Sequence, residues 1–136
     1  MGTDTKLTNP KDAIGCGKLP LDLVPDTAVA WQAMVHLHGA LKYGPWNWRE
    51  AGVRSSIYVA ALRRHVAAWW NGEELDPESN LPHLAHAAAC LNILMDAKEC
   101  GKLNDDRPPH ISISQFHHKL NEMTKAMKDQ NPKTGI

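Results

Sequence analysis

Apolar residues recur at spacings of three and four in four successive stretches, the mark of amphipathic helices. From Thr27 to about Tyr43, Ala30, Met34, Leu37 and Leu41 form one stripe, with Asp26 as N-cap and Gly44-Pro45 as the stop. A second helix runs from Ser55 or Ser56 to about Asn71, turning Ile57, Ala61, Leu62, Val66 and Trp69 or Trp70 inward, and Gly72 closes it. The third, His83 to Cys100, is capped by Ser79 or Asn80, carries Pro82 in its first turn and is followed by Gly101. It is the most hydrophobic, with Leu84, Ala87, Ala88, Leu91, Ile93, Leu94 and Met95, which predicts a central position. Its small face of Ala85, Ala88 and Ala89 suits close approach of another helix. A fourth begins at Ser112 or Ser114 and carries Phe116, Leu120, Met123 and Met127.

Residues 1–25 contain Asn9-Pro10, Gly15, Gly17, Pro20 and Pro25 and read as an extended arm, with Leu19, Leu21, Leu23 and Val24 available to pack on a body, its own or a neighbour's. The expected organisation is this arm, a helical domain over 26–129 and a flexible tail over 130–136. The fold class is all-α, a four-helix-bundle-like domain, and the apolar arm predicts at least a homodimer.

Composition narrows the function. Basic and acidic residues number 15 each, so no global positive field exists to hold extended nucleic acid. No segment is long and apolar enough for a bilayer, and the N-terminus has no signal-like apolar stretch. Cys16, Cys90 and Cys100 are odd in number and lack CxxC spacing, which fits reduced thiols in a cytosol. Phosphate-loop, GxSxG and HExxH motifs are absent.

Two constellations carry candidate chemistry. His83 and His86 share a helix face, His65 lies on the preceding helix, and Glu73, Glu74, Asp76 and Glu78 fill the turn between, so an antiparallel fold gathers nitrogen and oxygen donors. The bland alternative is that the acids complement a helix N-terminus and the histidines contact water or backbone. The second constellation, Lys42, Tyr43, Trp46, Asn47, Trp48, Arg49 and Arg54, alternates flat rings with amide and cationic groups, as a nucleotide's base and phosphates require. Its alternative is that the tryptophans fasten a loop over the core, with one in each role as the middle reading.

On these residues the chain resembles the N-terminal domain of phage dATP/dGTP diphosphohydrolases. The resemblance rests on NPKDAIG at 9–15, KLPLDLVP at 18–25, ALKYGPWNWR at 40–49, RHVAAWWNGEELDPES at 64–79, LPHLAHA at 81–87 and DDRP at 105–108. It implies a helical fold similar to the all-α nucleotide pyrophosphohydrolases, which form dimers or tetramers and cleave between the α and β phosphates using carboxylate-held metals. Carried over by motif, Lys42 and Arg64 meet phosphate, with Asn47, Trp48 and His65 beside them. Glu73, Asp76, Glu78 and His83 hold Mg²⁺ or Mn²⁺, the three carboxylates being catalytic. The chain departs from the pyrophosphohydrolase pattern: the paired ExxE and ExxD motifs are missing, the second helix has no acid, and Ala60 stands where that resemblance implies an Asp.

Two functions stay open at this point: a pyrophosphohydrolase converting dGTP or dATP to the monophosphate, or a metal-free sponge. The sponge would sequester a nucleotide-derived immune signal, a cyclic dinucleotide or ADP-ribose derivative, against host anti-phage defence. A purely structural phage or host-interaction protein is the third reading.

Overall fold

The computed structural model describes residues 9–135, which form six α-helices, two short 3₁₀ turns and one pair of two-residue strands. The chain divides into two compact units, one ending at Asp106 and the other starting at Arg107.

The first unit opens with α1 (Pro10–Gly15) and a 3₁₀ turn at Leu21–Leu23. The extended arm expected over 1–25 is therefore corrected within its described part; residues 1–8 lie outside the described residues. Asn9 caps α1 by accepting from the Lys11 N–H at 3.0 Å, and Pro10 pre-sets the first helical φ, so the Asn-Pro pair starts a helix where it suggested a turn. Leu19, Leu21 and Leu23 remain exposed.

Helix α2 (Asp26–Tyr43) begins one residue earlier than expected. Pro25 holds the N-cap position, and Asp26 stands in the first turn, where its charge still favours the helix dipole. The face turned to the core is also different: Val35 is buried and Ala28, Gln32, His36 and Gly39 are half-buried. The predicted stripe lies outward, with Leu37 53% and Leu41 80% exposed. Periodicity located the helix but not the face, because α2 places polar side chains along a cavity.

The loop expected after Pro45 contains a short helix, α3 (Asn47–Ala51), entered through Trp46 in a left-handed conformation (φ 60°). Gly52 follows at φ 84°, and an added Cβ would stand 3.2 Å from the Lys102 carbonyl oxygen, so this crossing suits glycine alone. Strand β1 (Val53–Arg54) then pairs in parallel with β2 (Leu103–Asn104), Val53 opposite Leu103.

Helices α4 (Ser55–Trp70) and α5 (His83–Glu99) form the antiparallel hairpin at the centre of this unit, and α2 packs on α5. Helix α5 is central as predicted, and its alanine face is what permits the approach: Ala85 and Ala89 cluster with Val35 of α2. Ala97 is wholly buried. On α4 the side chains turned inward are Tyr58, Ala61, Leu62, His65 and Trp69, whereas Ile57, Val66 and Trp70 are exposed. Among the described residues no large side chain is fully buried. The expected caps for α5 also differ. Pro82 holds the N-cap position, Asn80 adopts φ 60°, and Ser79 turns back to accept from the Leu81 N–H at 3.2 Å.

The second unit contains α6 (Ile113–Gln130), with Phe116, Leu120, Met123 and Met127 on its stripe, followed by a 3₁₀ turn at Pro132–Thr134. No helix among the described residues is long and apolar enough to cross a membrane.

Candidate functional site

A cavity of about 980 Å³ opens between α2, the segment 44–48, α4, the 71–82 connector and α5. That volume is at the upper end of small-ligand pockets.

The connector positions its acids by backbone bonds. The Asp76 N–H donates to the Leu81 carbonyl at 2.9 Å and the His83 N–H to the Glu74 carbonyl at 2.9 Å, folding the segment back on itself. Asp76 Oδ1 accepts from the Glu78 N–H at 2.8 Å, leaving Oδ2 toward α4 and α5. There His65 Nδ1 stands 3.8 Å and His86 Nε2 3.9 Å from Oδ2. The two imidazoles stack nearly parallel, centroids 4.6 Å apart at 6°. One ligand atom from each of His65, Asp76 and His86 lies within 4.8 Å of the others. Burial pushes both histidines below their ordinary pKa, which favours the neutral rings that coordinate metals. Burial pushes the Asp76 carboxyl up, but the Glu78 N–H and the neighbouring imidazoles outweigh it and leave it below its ordinary value.

The expected ligand set of Glu73, Asp76, Glu78 and His83 does not converge on one point. Glu78 accepts from Lys42 Nζ at 2.5 Å, an exposed pair that raises the lysine and lowers the glutamate. Glu73 binds His83 Nε2 at 2.7 Å, and His83 Nδ1 meets His65 Nδ1 at 2.8 Å, so both nitrogens of this 5% exposed ring are engaged within the protein. His86 takes the place at Asp76 that His83 was expected to fill. Ser79 Oγ contacts His86 Nε2 at 2.6 Å.

At the other end Lys42, Tyr43, Trp46, Asn47 and Trp48 line the cavity. The two tryptophans differ in their setting, and Trp48 has the fastening role weighed for it. Trp48 is half-buried and donates its indole N–H to Asp96 Oδ2 at 2.7 Å, which ties the loop to α5. Trp46 is 55% exposed on the cavity rim, its ring centroid 5.3 Å from that of Trp48, with the Arg49 guanidinium 4.4 Å from its own. Arg49 is committed to Asp96 through Nε at 2.9 Å and a terminal nitrogen at 2.8 Å. Those donors hold the Asp96 carboxyl far below the usual range. Arg64 is exposed and outside the lining, as is Ala60, so a carboxylate at position 60 would not face this cavity.

Sequence reasoning missed His36, Tyr58, Asn92 and Asp96. Asn92 donates to Gln32 at 2.7 Å and stands 3.1 Å from His36 Nε2, which joins α5 to α2 beside the cavity. Asp96 had a signal: an acid in the last turn of a helix opposes the dipole and calls for a cationic partner.

The fold and site define an all-α domain whose central helical hairpin borders a cavity between an aromatic rim and a histidine-carboxylate cluster. The chain belongs to the family described as dATP/dGTP diphosphohydrolase, N-terminal, whose model matches residues 8–107. A dATP/dGTP diphosphohydrolase of Salmonella phage PMBT28 is 33% identical over 91 residues, which is 67% of this chain and 31% of that protein. The match thus spans about a third of the relative's length. No solved structure matches.

Proposed function

We propose that this domain binds a purine deoxynucleoside triphosphate, dATP or dGTP, and takes part in its hydrolysis to the monophosphate and pyrophosphate. The observation that carries the reading is the two-ended cavity, with rings and an amide at one end and an imidazole and carboxylate cluster at the other. Family membership and the relative's name support the substrate class.

In this reading Trp46 stacks on the base, Asn47 meets its edge, and Lys42 exchanges its Glu78 partner for a phosphate oxygen. A water oxygen attacks the α-phosphorus, the bond to the α–β bridging oxygen breaks, pyrophosphate departs with that oxygen, and the water's surplus proton leaves to solvent. His65, Asp76 and His86 are the residues that fit a divalent ion, because only they converge among the expected donors. A bound ion there would neutralise phosphate charge and acidify a water. The sponge reading gains no support from the family or the relative. We also propose that copies associate through the outward stripe of Met34, Leu37 and Leu41, since apolar rows of this kind are rarely left in water.

The test incubates purified protein with deoxynucleotides, with and without Mn²⁺, and analyses the denatured mixture by mass spectrometry. Metal-dependent dGMP or dAMP is expected, whereas release of intact ligand only would overturn hydrolysis. Trp46→Ala should weaken nucleotide affinity roughly 5- to 150-fold, given ~1–3 kcal/mol for stacking on a base. Light scattering of the eluting protein reports oligomeric state, and Leu37→Glu with Leu41→Glu should yield a monomer.

A further inference from the structure

We infer that His65, Asp76 and His86 form a one-ion site for a first-row transition metal of the zinc, cobalt or manganese class, rather than for Mg²⁺, with Glu73 and His83 positioning His65. The inference deepens the reading of the cavity as a metal-assisted site, yet ion binding tests it without turnover.

Two nitrogens and one oxygen are the wrong donors for magnesium, which prefers an all-oxygen octahedron and retains its waters. Imidazole suits zinc and cobalt better than manganese, and two imidazoles with one carboxylate leave open positions for water and substrate. Those positions face the cavity, which all three side chains line. Metal–nitrogen bonds of about 2.0–2.1 Å put neighbouring ligand atoms about 3.3 Å apart. His86 Nε2 stands 3.9 Å from Asp76 Oδ2, and one ligand atom from each of the three residues lies within 4.8 Å of the others, so a bound ion draws the donors inward. The donors come from α4, the connector and α5, whose backbones are fixed by helix packing and by the Asp76–Leu81 and His83–Glu74 backbone bonds.

The second observation is the proton arrangement behind His65. A carboxylate only accepts, so His83 Nε2 carries the hydrogen in its 2.7 Å contact with Glu73. The other nitrogen of that ring, His83 Nδ1, stands 2.8 Å from His65 Nδ1. That contact occupies His65 Nδ1, so Nε2 is the nitrogen His65 offers an ion. A carboxylate and a second ring that orient a ligating imidazole are the outer support such sites use. Glu78, tied to Lys42, adds no third carboxylate that would tilt the site toward a harder ion.

The experiment strips the full chain with chelator and titrates Co²⁺, Zn²⁺, Mn²⁺ and Mg²⁺ by calorimetry, following Co²⁺ also by its visible absorption. One Co²⁺ or Zn²⁺ per chain is expected, bound at least tenfold more tightly than Mg²⁺, with Mn²⁺ between. Loss of the cobalt spectrum in His86→Gln and in Asp76→Asn is expected. Glu73→Gln, at an exposed position that does not threaten folding, should retain stoichiometry and weaken affinity, within the roughly 10–100-fold that outer partners contribute. Equal affinity for Mg²⁺ and Co²⁺, or a cobalt spectrum unchanged in His86→Gln, overturns the assignment. Selective cobalt binding without nucleotide cleavage would overturn the hydrolase reading and leave this site standing. Cleavage without transition-metal preference would do the reverse.

Discussion

Substituting Ala89 by Leu tests the seam that sets the width of the cavity. Ala89 is 4% exposed, packs with Ala85 against Val35, and lines the cavity. A leucine brings three more carbons to a place where two helices meet over alanine. If the side chain stays in the seam, overpacking costs about 1–3 kcal/mol. At roughly 4–8 °C of Tm per kcal/mol for a body of this size, the melting temperature falls by roughly 5–20 °C. If the side chain instead swings into the cavity, Tm moves less, but the isobutyl group occupies ligand space and nucleotide affinity falls. Ala33→Leu, at an exposed position of α2, is the control and should stay within about 0.5 kcal/mol of wild type. Calorimetric melting with and without ligand measures both quantities. Unchanged Tm together with unchanged affinity would refute the placement of the α5 alanine face against α2.

Three further outcomes rest on the same geometry. Burial holds His36 below its ordinary pKa, so its contribution to stability is present above about pH 6.5 and is lost as pH falls through the lowered folded value; His36→Gln should flatten the fall of Tm on acidification, and an unaltered slope would contradict it. Asp96→Asn removes the charged acceptor shared by Arg49 and Trp48, and hydrogen exchange should accelerate over α3 while the α4–α5 interface stays protected. Asp106 accepts from the backbone N–H and the hydroxyl of Ser56, with Arg54 3.5 Å away, so Asp106→Ala should lower Tm and increase fraying at the start of α4, seen by exchange at residues 55–58.

Much of the fold was legible because helix periodicity and glycine stops are local signals. Gly72 and Gly101 do lie just beyond α4 and α5 at positive φ, and the alanines of α5 do mark the close packing. The facing of α2 and α4 was not legible. A hydrophobic stripe announces a helix, but in this chain the polar side chains His36, Tyr58 and His65 line the cavity, and Leu37, Leu41 and Val66 are left outside. At the site, the clustering of His65 and the acidic connector was readable from spacing. The choice of His86 over His83 beside Asp76 depends on how the connector doubles back through Asn80, and the commitment of Arg49 depends on Asp96, distant in sequence. Such pairings are tertiary and leave only weak local traces.

The pairing of β1 with β2 and the capping of Ser56 by Asp106 join the two ends of the hairpin segment within a few residues of each other. The segment is therefore a closed clasp whose entrance and exit lie side by side, and the entropy of holding them together is offset by bonds local to the clasp. Its exit coincides with the end of the family match, at residue 107. The hairpin that carries most of the cavity wall is thus held shut at its open end by its own backbone, and the second compact unit begins one residue past that clasp.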